Sequence, residues 1–141
     1  MNAMIALETI VYLFLGLAVM MIGYFLIDLV IPVDFPKEIH DGNKAVGWVS
    51  AGIYAGLGYI IRSAILSLEL SEATELLQGV LSTVIYAGIG ILAFIIGYFL
   101  VDLVNRKFNF NEELKNKNEA AGIMVLGIFM GVAFIVSGVI L

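Results

Sequence analysis

Three pairs of polar residues stand at matching places in an otherwise apolar chain: Asp28 with Asp102, Glu38 with Glu113, and Asn43 with Asn118. A carboxylate at the edge of a hydrocarbon layer is costly unless something compensates it. Such groups can line a path for protons or cations, or they can tie chain segments together through hydrogen bonds and ion pairs. Lys44 follows the first asparagine, whereas Glu119 follows the second. Other chemistry is excluded by what is missing. Without cysteine there is no disulfide, thiolate metal site or thiol nucleophile. The single histidine, His40, reads as a solvated loop residue, because a metal site needs several convergent ligands. No nucleophile has an adjacent base, so neither an enzyme nor a metal or cofactor is expected. A net charge of −5 gives no basis for a nucleic-acid partner.

The surroundings of these residues are set by composition. The chain is 62% hydrophobic and 13% charged, with a mean hydropathy of +1.06, whereas soluble domains carry about 25% charged residues. An all-α integral membrane protein is the reading this composition supports. Four apolar stretches, roughly Met4 to Ile31, Ala45 to Leu66, Leu76 to Val104 and Ala120 to Leu141, each reach the length of about 20 residues that a helix needs to span a bilayer. Strands alternating polar and apolar residues are absent, which excludes an outer-membrane barrel. The start "MNAMIALETIVYL" has Glu8 and no basic residue, so the first stretch is expected to remain as a helix rather than act as a cleaved signal.

The chain is written twice. A shift of 74 residues lays "TIVYLFLGLAVMMIGYFLIDLV" from Thr9 on "TVIYAGIGILAFIIGYFLVDLV" from Thr83, and a shift of 75 lays the helix beginning near Asn43 on the one beginning near Asn118. The predicted organisation is a two-helix hairpin over 1–66, an acidic linker over 67–75 and a second hairpin over 76–141. Two helices return the chain to its starting side, so the copies run parallel. Lys37, Lys44, Arg106, Lys107, Lys115 and Lys117 flank the hairpin loops, and only Arg62 lies at the other face. The positive-inside rule then places both loops in the cytoplasm and both termini outside. In the linker, Ser71 and Glu72 read as a helix start.

Asp28 and Asp102 fall in the last turns of their helices, where the helix dipole disfavours an anion. The compensating groups are expected at the starts of the antiparallel helices, with Asn43 and Asn118 as N-caps offering free amides. Asp28 is expected to gain Lys44 as well. Asp102, facing Glu119, should turn to Lys44, Arg106 or Lys107, or become protonated. Asp102→Asn should therefore be the better tolerated substitution. Glu38 and Glu113 read as interfacial surface or as further members of this polar cluster.

Small residues form seams. Ala45, Gly52, Gly56 and Ser63 recur at intervals that Ala120, Gly127, Gly131 and Gly138 repeat. Such seams let helix backbones approach closely in lipid. Gly52, Gly56, Gly127 and Gly131 are thus expected at helix contacts, within the chain or between chains.

An aspartate, then Pro32, then "EIHDGNKAV" from Glu38, entering a glycine-rich helix, resembles the membrane-protein family of domain of unknown function 350, which is similar in having two such hairpins. Asp28, Pro32, Glu38, Ile39, Gly42, Asn43 and Ala45 fall in place in the first copy. The second keeps Asp102, Glu113, Asn118 and Ala120 but has Arg106 for the proline and Lys117 for the glycine. The resemblance implies an inner-membrane location and offers no known activity. Two classes of function remain. One is a structural or accessory module that forms homo-oligomers in the lipid bilayer and recruits a cytoplasmic protein through loops 32–43 and 105–118. The other is a small proton or cation channel or transporter, with Asp28, Asp102, Glu38 and Glu113 as its acidic path.

Overall fold

The computed structural model describes residues 2–70 and 75–141; Ser71 and Glu72, read above as a helix start, lie outside them. Four long helices are present: α1 (Ala3–Val30), α3 (Lys44–Leu70), α4 (Leu76–Val104) and α6 (Glu119–Ile140). Each is long and apolar enough to cross a membrane. Two short helices, α2 (Phe35–His40) and α5 (Phe110–Lys115), occupy what the sequence reading treated as loops. Pro32 ends α1, since the residue before a proline is driven out of the helical region, and Ile31 is extended. Asp34 and Pro36 then start α2 at once. That pair was the legible signal for α2, and Asn109 followed by Glu112 and Glu113 was the signal for α5.

The hairpins are α1 with α3 and α4 with α6. They lie side by side, α1 against α4 and α3 against α6, with α3 also touching α4. α3 is the most enclosed spanning helix. Its Ile53, Leu57 and Ile60 are fully buried, and Phe94 of α4 stacks on Phe129 of α6 with ring centroids 4.9 Å apart. α1 buries only Gly23 and Ile27. Its Leu13, Phe14, Leu17 and Met21 are exposed, as a lipid-facing surface requires.

In lipid, association depends on van der Waals fit more than on expulsion of water, so close approach matters. α3 and α6 advance together from Ala45 beside Gly122, through Gly52 beside Leu126, to Ser63 hydrogen-bonded to Ser137. A Cβ on Gly52 would lie 2.9 Å from Leu126 Cα, and one on Gly56 would strike the Phe94 ring. The other half of the expected seam behaves differently. Gly127, Gly131 and Gly138 meet nothing within 4 Å among the described residues; on α6 it is Gly122 that permits the close approach. The sequence spacing was the same in both helices, but the second hairpin lies on only one side of the first.

Candidate functional site

The polar pairs collect at the end of the bundle that carries α2 and α5, and each is part of a buckle between two spanning helices. Asp28, half-buried in the last turn of α1, accepts a hydrogen bond from the backbone N–H of Phe35 at 2.9 Å. Asp102 does the same for Phe110 at 2.8 Å. Phe35 and Phe110 are the first residues of α2 and α5, whose opening amides have no partner inside their own helices. A carboxylate there makes a charge-assisted bond and meets the favourable end of the helix dipole. Asp34 and Asn109 complete the caps by accepting from later amides of the same turns. Both phenylalanine side chains are fully buried, which fixes the short helices on the bundle.

The expectation for the aspartates thus held in kind but named the wrong helices. The amides come from α2 and α5, not from the starts of α3 and α6, and the partner of Asp28 is Phe35 N rather than Lys44. Lys44 is exposed. Asp102 is matched by Phe110 N, a donor that the expectation, which turned to Lys44, Arg106 or Lys107 or to a protonated form, did not name. The short helices bring a backbone donor to each carboxylate. The predicted inequality between the two aspartates loses its premise.

Each short helix ends in the same way. Asn43 N donates to Glu38 O, and Gly42 N donates to Ile39 O; Asn118 N and Lys117 N make the matching bonds to Glu113 O and Leu114 O. These are Schellman closures, which need a left-handed residue after the cap. Gly42 has φ +78° and Lys117 has φ +61°. The lysine therefore occupies a glycine-type position, and the departure from the motif leaves the turn itself intact. The asparagine side chains close the buckle again: Asn43 Nδ2 donates to Glu38 Oε2 at 2.7 Å, and Asn118 Nδ2 to Glu113 Oε2 at 2.6 Å.

Glu38 and Glu113 thus pair with asparagine, and among the described residues neither shares a hydrogen-bond partner with Asp28 or Asp102. The two buckles diverge at the asparagines. Asn43 is 2% exposed, caps α3 by accepting from Ala45 N and Val46 N, and gives its second amide hydrogen to Leu114 O in the other hairpin at 2.7 Å. Asn118 is exposed and makes no side-chain cap on α6, contrary to the sequence expectation. Sequence reasoning also missed Tyr98, a fully buried side chain whose hydroxyl donates to Asn111 Oδ1 at 2.6 Å. Its counterpart Tyr24 stacks on Tyr54 and bonds to Ser50 instead.

Among the described residues, no group of His, Cys, Asp and Glu side chains could hold a metal, and every buried side-chain nitrogen or oxygen has a partner. At the opposite end a cavity of about 370 Å³ is lined by Glu8, Glu69, Glu75, Tyr12 and Gly79, among others. Chemically, the buckles fasten helix ends; the cavity presents carboxylates.

The model of the family described as Domain of Unknown Function (DUF350) matches residues 1–140, so the chain belongs to that family. It is 26% identical over 133 residues to a UPF0719 transmembrane protein of Aquifex aeolicus (strain VF5), covering 93% of this chain and 47% of that protein. It is 28% identical over 104 residues to the UPF0719 transmembrane protein YshE of Bacillus subtilis (strain 168), covering 72% of this chain and 69% of YshE. The chain thus spans about half the length of the Aquifex relative. No solved structure matches. With transmembrane relatives and four helices suited to span a bilayer, the protein is a multi-pass membrane protein.

Proposed function

We propose that this DUF350 chain is a structural or accessory module of the inner membrane, built to assemble and to present its buckles to a cytoplasmic protein. One observation carries the reading: the acidic residues of the buckles are engaged in fastening the chain. Asp28 and Asp102 hold the first amides of α2 and α5, and Glu38 and Glu113 hold asparagines. Carboxylates so occupied are poorly placed to pass ions. Polar side chains within the spans are likewise satisfied locally, Thr83 by Gly79 O and Ser63 by Tyr59 O and Ser137.

The excess of lysine and arginine beside the buckles supports a cytoplasmic placement for them, with both ends of the chain outside. In that orientation Lys37 and Asp41 of the first buckle, and Glu112, Lys115 and Lys117 of the second, offer exposed charge to a soluble partner.

A proton or cation channel is the second reading, favoured by the cavity among Glu8, Glu69 and Glu75. Liposomes loaded with a pH-sensitive dye decide between the two. The module reading expects no proton or potassium flux above that of protein-free vesicles. A flux above that level that Glu8→Gln or Glu75→Gln abolishes without loss of folded protein would sink it.

A further inference from the structure

The contact between the two hairpins is directional. In it, the first hairpin contributes the Asn43 amide and the glycine face of α3, and the second contributes Leu114 of α5 and the face of α6 bearing Leu126 and Phe129. In the numbering of the repeat, the second hairpin carries its own copy of the first set: Asn118, Gly127 and Gly131. The first hairpin carries its own copy of the second set: Ile39, Ala51 and Tyr54. All six of these residues are left without the contact that their counterparts make.

The differences in burial are large. Leu114 is 0% exposed and Ile39 is 44% exposed; Phe129 is 0% exposed and Tyr54 is 36% exposed. Asn43 is buried and Asn118 is exposed, while Ala51 and Gly127 are both exposed. Where the first hairpin is covered, the second is hollow. A cavity of about 270 Å³ opens beside Asn118, lined by Phe108, Glu113, Ala121 and Met124 among others. The corresponding positions of the first hairpin include Val33, Val46 and Val49, which are buried in one core cluster with Phe110 and Leu114 of α5 and Val125 of α6.

We propose that a second copy of this chain fills that hollow, docking head to tail so that the contact between its own hairpins is repeated between chains. Ile39 of the incoming copy enters the cavity where Leu114 serves within the chain, and its backbone oxygen accepts from Asn118 Nδ2. Ala51 and Tyr54 of the incoming α3 lie on Gly127 and Gly131. Both copies keep the same orientation across the bilayer, as parallel hairpins demand. A contact of this kind is heterologous: the two surfaces differ, so assembly continues into a ring or a row rather than stopping at a two-fold dimer. One internal bond is not reproduced. Trp48 Nε1 donates to Glu119 Oε1 within the chain, and Ile123 and Lys44 stand at the matching places, so the contact between chains is the weaker of the two.

The proposal rests on the module reading for its purpose but not for its test. The chain has no cysteine, so two single variants, Tyr54→Cys and Gly131→Cys, can be made and co-expressed, then oxidised in native membranes. A disulfide-linked dimer is expected only when both variants are present, and a chain carrying both should give a ladder of multiples. Cross-linking of Gly131→Cys with itself would overturn the proposal in favour of a symmetric α6 contact, and no product from the mixture would overturn it outright. If either variant shifts the thermal midpoint of the chain, Ile39→Cys with Met124→Cys and a short bismaleimide takes its place, read in the same way. Head-to-tail products from a protein that conducts ions would keep this inference and discard the module reading; failure to cross-link would leave the flux result standing.

Discussion

The carboxylate of Asp28 and the backbone amide of Phe35 are 2.9 Å apart and join the end of α1 to the start of α2. Asp102 and Phe110 repeat the bond at 2.8 Å. Replacing either aspartate by alanine leaves a helix-start amide without its acceptor at the margin of the bilayer. A loss of about 1.5–3 kcal/mol is expected for each, in the range for hydrogen bonds to charged groups. Asn keeps an oxygen acceptor but removes the charge, so Asp28→Asn and Asp102→Asn should cost less and about equally. Thermal unfolding in lipid nanodiscs measures this, and a twofold or larger inequality would show that a further partner distinguishes the copies.

The asparagines should be unequal where the aspartates are equal. Asn43 joins Glu38 to Leu114 O of the other hairpin while capping α3, and it is buried. Asn43→Ala should cost about 2–3 kcal/mol, because buried groups are left unpaired. Asn118 is exposed and makes one side-chain bond, to Glu113. In the isolated chain Asn118→Ala should lower the unfolding midpoint by a smaller amount, measured at a detergent-to-protein ratio high enough to keep single chains apart.

Lys117 carries a left-handed backbone at φ +61°, where the first buckle has Gly42 at +78°. A side chain in this region costs roughly 1–2 kcal/mol relative to glycine. Lys117→Gly should raise the unfolding midpoint and Gly42→Ala should lower it. The reverse pair of signs would mean that the turn relaxes when it is substituted.

The glycines of α3 and α6 should separate into two classes. Leucine at Gly52 or Gly56 meets Leu126 or Phe94 and should unfold or loosen the single chain. Leucine at Gly127 or Gly131 meets open space there and should leave the midpoint of the single chain unchanged. Gly88 also meets nothing within 4 Å but lies on α4, so Gly88→Leu controls for lipid exposure. Differential scanning of the five variants side by side checks the division; a destabilised Gly131→Leu chain would contradict it.

Sidedness is open to direct labelling. Single cysteines at Glu75 and Lys115 should react with an impermeant maleimide from opposite faces, Glu75 from outside and Lys115 from the cytoplasm. Labelling of both from one face would remove the even number of spans on which parallel hairpins depend.

Much of this architecture is legible in the residues alone. Four apolar stretches of spanning length can be satisfied in lipid only as helices, because every backbone amide must be bonded within its own segment. The repeated GYFL-D-LV frame likewise places Asp28 and Asp102 at helix ends, and an anion there demands a donor. Which donor was decided by the tertiary structure: α2 and α5 fold back under the bundle, and the burial of Phe35 and Phe110 carries their first amides to the carboxylates. The fates of paired residues were also decided there. Gly56 and Gly131 each sit among apolar neighbours, and Asn43 and Asn118 each follow a short helix and precede a spanning one, so their place along the chain does not tell the buried one from the open one. The second hairpin packs on one side of the first, covering Gly56 and Asn43 and leaving Gly131 and Asn118 uncovered, and that asymmetry arises from contact between segments about 75 residues apart rather than from anything either segment encodes alone.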